Sequence, residues 1–337
     1  MFRCILDPAM WFKQILTLLL LPVLGTCVSG AGAETPLPPD PSPASATVDM
    51  PVKRVSEHVY YVEGTPGVAT DNQGFISNAG FIVTGAGVVV FDALGTPALG
   101  ELLLEKIRSV TDQPVVRVIV SHYHADHIYG LQVFEALDAE ILAPEGAEVY
   151  LASDAARERL EERRFTLDPW VNENTRLVYP DRYLSEGTRF QLGDVEFIVT
   201  SLGSAHSDGD QTLYVSPDRV LFSGDVIFEG RIPYLGNANT RHWLKVLERM
   251  EKEKLVALVP GHGPAASNPN EAIGLTRRYL AYLRTTMGAA VEDFVPFDEA
   301  YADVDWSAFD ELPAFAAANR RNAYQVYLSL EAEMLDK

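Results

Sequence analysis

The sequence has 337 residues, of which 47% are hydrophobic and 22% are charged, and its formal net charge is −20 at pH 7. This composition is ordinary for a globular protein and excludes a fibrous or wholly disordered chain. Because so negative a surface repels phosphate backbones, we expect no nucleic-acid partner and predict a small-molecule substrate.

The N-terminal segment, residues 1–33, is typical of a secretory signal peptide. Lys13 precedes an apolar run over residues 15–24, and the small residues 31–33 resemble a signal-peptidase cleavage site. The apolar run is shorter than the roughly 18 residues that a membrane-spanning helix needs, so we expect no stable membrane insertion. The sequence therefore predicts a periplasmic or secreted protein.

Both cysteines of the sequence, Cys4 and Cys27, lie within this predicted signal peptide. The mature chain then has no thiols, and any metal ion in it must be held by nitrogen and oxygen atoms. A lipid anchor on Cys27 is a disfavoured alternative, since the residues before it only loosely resemble a lipoprotein signal. The sequence does not decide whether translation starts at Met1 or at Met10.

Beyond the signal peptide, residues 34–50 are rich in proline and predict an extended linker. Residues 51–290 alternate short β-rich runs with helical patterns, which predicts an α/β catalytic domain. The predicted strands cover residues 59–62, 80–83, 88–92, 115–120, 195–200, 220–222 and 255–259, and the predicted helices cover residues 98–109, 131–137 and 240–250.

The last segment, residues 291–337, carries aromatic residues from Phe294 to Tyr327 at first irregular and then helical spacing. We predict a helical C-terminal extension that packs these side chains on the catalytic domain, in preference to a cofactor site. The pattern gives no indication of the oligomeric state.

A six-residue motif, His122-Tyr123-His124-Ala125-Asp126-His127, follows the predicted buried strand 115–120. Loops after buried strands are where α/β folds place their sites. His122 and His124 are two residues apart, so both imidazoles of an extended segment can chelate one ion. Asp126 and His127 then face a second position.

Three further candidate ligands follow later predicted strands: His206, Asp225 and His262. Because four segments deliver nitrogen or oxygen ligands to strand ends, we predict a metal site at a common edge. His58 and His242 lie outside any such motif, and we predict structural roles for them.

The order H-x-H-x-D-H, a later histidine, Gly-Asp and Gly-His-Gly resembles the metallo-β-lactamase superfamily over roughly residues 52–284. Asp92, at a strand end, matches the usual opening aspartate of that superfamily. The resemblance implies an αββα sandwich with metals at one edge, between the two sheets. It implies that His122, His124 and His206 hold the first metal, that Asp126, His127 and His262 hold the second, and that Asp225 bridges them.

A closer resemblance involves residues 230–233, residues 319–324 and the aromatic tail. These stretches are similar to the quinoprotein relay system zinc metallohydrolases, an exported subgroup of the superfamily. This likeness names no substrate.

Two zinc ions are the predicted cofactor, with iron and manganese as alternatives, because nitrogen and oxygen ligands do not choose between these metals. Two such ions can share a water, present it as a bridging hydroxide and polarise the attacked carbonyl. Asp126, beside that water, is the predicted catalytic residue that orients it and takes up its proton. We predict that Asp92 holds a ligand loop in place.

Arg231, Tyr234 and Asn237 lie on the segment after Asp225, which we expect to overhang the site, so they are candidates for substrate contact. Ordinary turn chemistry around Pro233 and Gly236 is an equally good interpretation of this segment.

The predicted activity is metal-dependent hydrolysis of a small ester, thioester or related acyl substrate. Superfamily β-lactamases usually carry cysteine or serine where this chain has Asp225, which makes β-lactam hydrolysis an alternative rather than the first hypothesis. Some superfamily members hold iron and oxidise persulfides, so an iron-dependent persulfide dioxygenase-like oxidoreductase stays open. A binding protein with structural metals is disfavoured, since structural zinc sites are usually closed and rich in cysteine.

Overall fold

The first half of the chain forms a seven-stranded sheet. The computed structural model describes residues 44–185 and 187–335. Its strands are β1 (Val52–Arg54), β2 (Val59–Val62), β3 (Ala79–Thr84), β4 (Gly87–Phe91), β5 (Val115–Ile119), β6 (Glu140–Pro144) and β7 (Arg182–Leu184). Their order across the sheet is their order along the chain. The strands β1 to β4 pair antiparallel, whereas β4 to β7 pair parallel and therefore need long crossovers.

Helices occupy the crossovers of this first sheet: α1 (Pro97–Val110), α2 (Ala125–Ile128), α3 (Leu131–Glu135), α4 (Gly146–Ala152) and α5 (Asp154–Thr166). α1 begins at a capping residue, because the Thr96 hydroxyl accepts a hydrogen bond from Leu99 N at 3.1 Å and Pro97 follows it. The apolar face of α1, including Leu103 and Ile107, is buried with the side chains of β4 and β5.

The second sheet has five strands: β8 (Thr188–Leu192), β9 (Val195–Gly203), β10 (Asp210–Ser216), β11 (Val220–Phe228) and β12 (Ala257–His262). They lie in the order β12-β11-β10-β9-β8, and only β11 and β12 pair parallel. The helix α6 (Thr240–Met250) crosses between those two strands. It starts at Asn239, whose side chain accepts a hydrogen bond from His242 N at 3.0 Å, and it buries Trp243 and Leu247.

The two sheets face each other across a shared apolar core. Phe91 and Ile119 of the first sheet meet Phe222 and Val259 of the second, and each is at most 3% exposed. Gly80 marks the close approach, since a Cβ there would lie 2.0 Å from the Phe222 ring. With helices on both outer faces, the layers are α-β-β-α, which confirms the predicted fold.

The C-terminal region is formed by α7 (Pro269–Glu292), α8 (Phe297–Asp303) and α9 (Phe315–Leu335). Tyr279 and Leu283 of α7 share one buried cluster with Val326 of α9 and with Trp243 of α6. Because α7 continues past residue 290, the predicted boundary between catalytic domain and extension falls within its last turn. The helices of this region and the second sheet thus build one core.

The described chain starts within the predicted linker 34–50. Residues 44–50 form neither helix nor strand, yet Met50 is only 1% exposed and lies in the core of the first sheet. The predicted signal peptide and the start of the linker lie outside the described residues. Within residues 44–185 and 187–335, no helix combines the length and apolar character that crossing a bilayer requires.

Candidate metal centre

The seven predicted ligand residues gather at one edge of the two sheets. The structure divides them into two groups whose ligand atoms lie within 4.8 Å of one another in each group. Asp225 lies between the groups, because its Oδ2 is 3.4 Å from His206 Nε2 and its Oδ1 is 3.2 Å from His127 Nε2. The first group is His122, His124, His206 and Asp225, and the second is Asp126, His127 and His262.

Two of these residues sit differently from the sequence prediction. Asp225 was expected in a loop after residue 222, but β11 continues through it to Phe228. The register with β12 shifts on both sides of Gly224, which has a φ of +52°, so an irregular strand rather than a loop aims the carboxylate. His262 is the last residue of β12 and not part of a following loop.

Asp92 supports two ligands at once from the end of β4. Its Oδ2 accepts a hydrogen bond from His127 Nδ1 at 2.9 Å and another from the Ser121 hydroxyl at 2.7 Å. The same hydroxyl lies 2.9 Å from His122 Nδ1, from which it can accept. Both imidazoles then carry their proton on Nδ1 and turn the Nε2 lone pair towards the cluster.

His262 is held by a segment that the sequence analysis missed. Its Nδ1 donates to Ile76 O at 2.7 Å, and the Asn78 amide donates to Pro260 O and Gly263 O at 2.8 and 2.7 Å. The sequence signal is weak, because Asn78 and Ser77 are a short polar pair ahead of an apolar strand and the partners of Asn78 lie more than 180 positions away.

Asp210 gives the His206 loop its shape and was also missed. It accepts hydrogen bonds from Ala205 N, Ser207 N and the Ser207 hydroxyl at 3.0, 2.9 and 2.8 Å. Burial raises the pKa of Asp210 to about 6. The Ser-Asp-Gly-Asp run over residues 207–210 is a recognisable turn signal that could have identified it.

The three histidines of the first group are favoured as neutral imidazoles. Burial lowers the pKa of His122 and of His124, and it lowers the pKa of His206 to about 3. Neutral imidazole is the form that binds a metal ion, so little proton competition is expected here. His124 Nδ1 and His206 Nε2 lie 3.0 Å apart, which suits two nitrogen atoms aimed at one ion.

The second group is more strongly charged. Burial alone lowers the pKa of His127 and His262, but the carboxylates of Asp225 and Asp126 outweigh it and raise both pKa values. The two imidazoles in turn hold the pKa of Asp225 and of Asp126 below its ordinary range, against the effect of burial. A cation in this position would replace the protons of these imidazoles.

The donor set fits a pair of divalent cations. His122 Nε2, His127 Nε2 and Asp225 Oδ1 are buried and make no hydrogen bond, although the last two atoms lie 3.2 Å apart. Each buried polar atom left in this state costs about 1–3 kcal/mol, which a bound ion would offset. Seven nitrogen and oxygen ligands exceed the four that one tetrahedral zinc ion uses.

Gly261 lies where any side chain would collide with the centre. A Cβ at this position would be 1.9 Å from Asp225 Oδ1 and 2.7 Å from the carbonyl carbon of Gly224. Because β11 and β12 run side by side, the glycine leaves the space that the Asp225 carboxylate occupies.

The family model of the metallo-β-lactamase superfamily matches residues 72–262, more than half of the chain. This chain belongs to the metallo-β-lactamase superfamily. The match ends at His262 and so spans all seven cluster residues.

Relatives within the superfamily are distant hydrolases. The chain is 22% identical to metallo-β-lactamase IND-1 of Chryseobacterium indologenes over 220 residues, which cover 64% of this chain and 81% of that protein. It is 29% identical to the acyl-coenzyme A thioesterase MBLAC2 of Gallus gallus over 155 residues, or 43% of this chain and 55% of that protein. These matches confirm that the chain is an enzyme of the hydrolase type that this superfamily contains.

Solved structures with the same architecture include a metallo-β-lactamase from Pontibacter korlensis, with a TM-score of 0.57 and 20% identity, covering 69% of this chain and 99% of that one. The sec-alkylsulfatase Pisa1 from Pseudomonas sp. has a TM-score of 0.67 and 16% identity, covering 83% of this chain and 50% of that one. At this identity the likeness shows the superfamily fold alone.

The three predicted substrate contacts occupy different surroundings. Arg231 is partly buried, and burial lowers its pKa while the charges of Asp225 and Asp126 oppose that shift. The ring of Tyr234 lies 5.1 Å from the Arg321 guanidinium on α9. Asn237 is exposed and lines a cavity of about 240 Å³ between this loop and α9, which no cluster residue lines.

A smaller cavity of about 40 Å³ opens beside the first group of ligands. His124, Tyr123, Tyr150 and Asp208 contribute to its walls. None of the three sequence-predicted candidates contributes to these walls.

Proposed function

We propose that this chain is an exported hydrolase that holds two zinc ions and cleaves a small ester, thioester or related acyl substrate. The observation that carries the proposal is the Asp225 carboxylate between two groups of ligands, with one oxygen near His206 and the other near His127. A carboxylate in this position can hold two cations a short distance apart.

Two divalent cations held by these residues would supply an activated water near neutral pH and would polarise the carbonyl group of the substrate. The chain's own residues orient the reactants. Asp126 has a side chain that is 22% exposed, whereas that of Asp225 is 5% exposed, so Asp126 is the carboxylate that faces the open side. We assign it to orient the attacking water and to accept its proton.

The substrate class rests on Asp225 and on the named relatives. The superfamily β-lactamases usually carry cysteine or serine at this position, while a bridging aspartate favours the broader group of ester and thioester hydrolases. The MBLAC2 relative is named a thioesterase and the IND-1 relative a β-lactamase, so β-lactam hydrolysis is the second candidate. Iron or manganese in the same ligands, with persulfide oxidation, is the third.

The proposed subgroup, the quinoprotein relay system metallohydrolases, draws support from a contact. Asn322, within the stretch 319–324, donates to Pro233 O at 2.7 Å. The two stretches that carry the likeness, residues 230–233 and 319–324, therefore meet in the fold. Export rests on the signal-peptide pattern of residues 1–33.

The proposal is tested on protein expressed with its own N-terminal segment and purified from the exported fraction without added metal. We expect an N-terminus at residue 34 by mass spectrometry, about two zinc ions per chain by metal analysis, and turnover of esters or thioesters well above that of penicillins or carbapenems. An acylated N-terminus at Cys27 would make the protein a lipoprotein. One tightly held iron without zinc would favour the oxidoreductase, and efficient turnover of a β-lactam with inert esters would favour the β-lactamase.

The role of Asp225 is tested by Asp225→Ser. A serine cannot hold two cations, so we expect the second metal to be lost first and the turnover of esters to fall by about 10- to 100-fold, with recovery at high added zinc. The exposed Asp310→Ser is the control and should keep both metals. Undiminished metal content in Asp225→Ser would contradict the bridging role.

A further inference from the structure

The imidazole of His206 differs from the other cluster imidazoles in the surroundings of its Nδ1 atom. Three cluster histidines place Nδ1 within 2.9 Å of an oxygen atom: His122, His127 and His262. The Nδ1 of His206 is buried and makes no hydrogen bond within the described residues. Its Nε2 lies 3.0 Å from His124 Nδ1 and 3.4 Å from Asp225 Oδ2, so Nε2 is the atom that faces the first group.

The direction of Nε2 determines which nitrogen of His206 carries the proton. A metal ion binds the lone pair of a neutral imidazole, so with Nε2 as the ligand atom Nδ1 is an N–H donor. Ligand histidines almost always donate this proton to a carboxylate, a backbone carbonyl or a water. Because a buried donor without an acceptor costs about 1–3 kcal/mol, His206 needs an acceptor of another kind.

Two aromatic rings pack against the His206 ring. The ring centre of Trp243 lies 5.4 Å from that of His206 with an interplanar angle of 75°, and the ring of Phe228 lies 5.8 Å away at 57°. Rings that are close to perpendicular place the positive edge of one against the negative face of the other. An imidazole N–H is such an edge, and the indole face of tryptophan is the most electron-rich of the aromatic side chains.

Trp243 is itself held in place by two hydrogen bonds of the helix α6. The Trp243 side chain is fully buried, and its Nε1 donates to Val226 O on β11 at 2.9 Å. The preceding residue, His242, donates from Nε2 to Leu202 O near the end of β9 at 2.8 Å. The helix is therefore fixed to the two strands that lead into the first group, and the indole is a rigid surface for a neighbouring ring.

We propose that Trp243 is a positioning residue for the first metal, because its indole face accepts the Nδ1 proton of His206 and keeps Nε2 turned towards the first group. This inference rests on the proposed two-zinc centre. An aromatic face polarises an N–H less than a carboxylate does, so His206 is a weaker base than His127, which donates to Asp92.

Nuclear magnetic resonance of the zinc-loaded protein, prepared with isotope-labelled histidine, tests the contact directly. A proton over an aromatic face is shielded by the ring current, whereas a proton in a hydrogen bond to oxygen is deshielded. We expect the Nδ1 proton of His206, assigned by its absence in His206→Gln, to resonate upfield of three others: those of His122, His127 and His262. A His206 proton at the field of the other three would overturn the proposal in the unmodified protein.

Variants of Trp243 separate the aromatic face from the indole N–H. Trp243→Phe keeps a face but loses the bond to Val226 O, and we expect it to retain the upfield proton and the affinity for the first zinc. Trp243→Met removes the face, so the proton should move downfield and the first zinc should bind about tenfold more weakly, with the second unaffected. The control is Trp306→Met in the same C-terminal cluster, where Nε1 also donates to a carbonyl, Tyr301 O at 3.3 Å, and both zinc ions should be retained.

Zinc content at increasing chelator concentrations measures the affinities, and His206→Gln, which lacks a ligand of the first group, identifies the step in which the first zinc leaves. Equal zinc loss in Trp243→Met and Trp306→Met, or a loss in Trp243→Phe as large as that in Trp243→Met, would overturn the positioning role alone. An upfield His206 proton and two bound zinc ions without turnover of any ester would support the role of Trp243 and overturn the hydrolase. A protein that binds no zinc would overturn both.

Discussion

The two halves of the chain build their shares of the centre in different ways. In the first half, the four ligands between His122 and His127 come from one short segment, and the single carboxylate of Asp92 orients a ligand of each group. In the second half, three ligands come from three separate segments, the loop after β9, the strand β11 and the end of β12. Each has its own support: Asp210 beside His206, the segment 76–78 beside His262, and the irregular β11 at Asp225. Damage to the support of the first half should therefore affect both groups of ligands, whereas damage beside His206 or His262 should affect one group.

The largest effect is expected for Asp92→Asn. Asparagine tolerates the left-handed backbone that Asp92 adopts at φ +61°, so the substitution removes the charge while it retains the turn. Since Asp92 supports His127 directly and His122 through Ser121, we expect both metals to bind about 10- to 100-fold more weakly. Metal content after dialysis against increasing chelator concentrations measures this.

A control for that variant is Asp138→Asn, which makes the same substitution at φ +59° on an exposed turn. It should retain both metals. If Asp92→Asn lost only one metal, the contrast between the two halves of the chain would be wrong.

A smaller effect is expected for Asp210→Asn. The amide oxygen can still accept from Ala205 N and Ser207 N, but the second acceptor for the Ser207 hydroxyl is lost. We expect the first metal, next to His206, to bind about tenfold more weakly and the second to be unaffected. The same chelator series measures the metal content of the two positions separately. Equal loss of metal at both positions would show that the ligands of the second half share their supports.

The smallest effect concerns His58, which joins the two sheets at the other end of β11. Its Nδ1 lies 2.8 Å from Asp218 Oδ2 and its Nε2 3.4 Å from Asp194 Oδ2. Burial lowers the pKa of His58, but the hydrogen bond and charge of Asp218, together with Asp194, outweigh it and raise the pKa. The ion pair therefore stabilises the fold below the unfolded value of 6.5, and this contribution is lost as the pH rises through the raised pKa.

We expect His58→Gln to lower the free energy of unfolding by roughly 1 kcal/mol at about pH 6 and by less at about pH 9, with the metal content unchanged. Urea unfolding at the two pH values measures this. Adding Asp218→Asn to His58→Gln should not increase the difference between the losses of unfolding free energy at the two pH values. If His58→Gln lost more unfolding free energy at the higher pH than at the lower, the assignment of the ion pair would be wrong.

Contiguous features of the fold were predictable from the sequence, while features that depend on distant partners were not. The helix over residues 240–250 and the strand over residues 59–62 have the predicted bounds, because a periodic apolar face or a short β-rich run fixes each of them locally. Five strands were not predicted, namely β1, β6, β7, β8 and β10. The continuation of β11 through Asp225 could not be predicted, because it depends on the parallel pairing with β12.

The residues that hold the ligands of the centre in place show the same limit of prediction from sequence. His122 to His127 could be recognised because spacing within one segment carries the chemistry. Asn78 could not, since its role exists only when the turn around residues 260–263 folds against it. The buried Nε of Arg231, which makes no hydrogen bond, is likewise invisible in the sequence.

Because β11 and β12 pack closely at Gly261, this position should be sensitive to substitution in a mutational scan. It supplies no ligand, proton or substrate contact, yet even a single added carbon would displace the Asp225 carboxylate or the backbone beside it. An alanine at position 261 would score like the loss of a metal ligand, although the glycine takes no part in the chemistry. In a map of variant effects on this chain, loss of activity on substitution at position 261 would reflect the space that the Asp225 carboxylate requires.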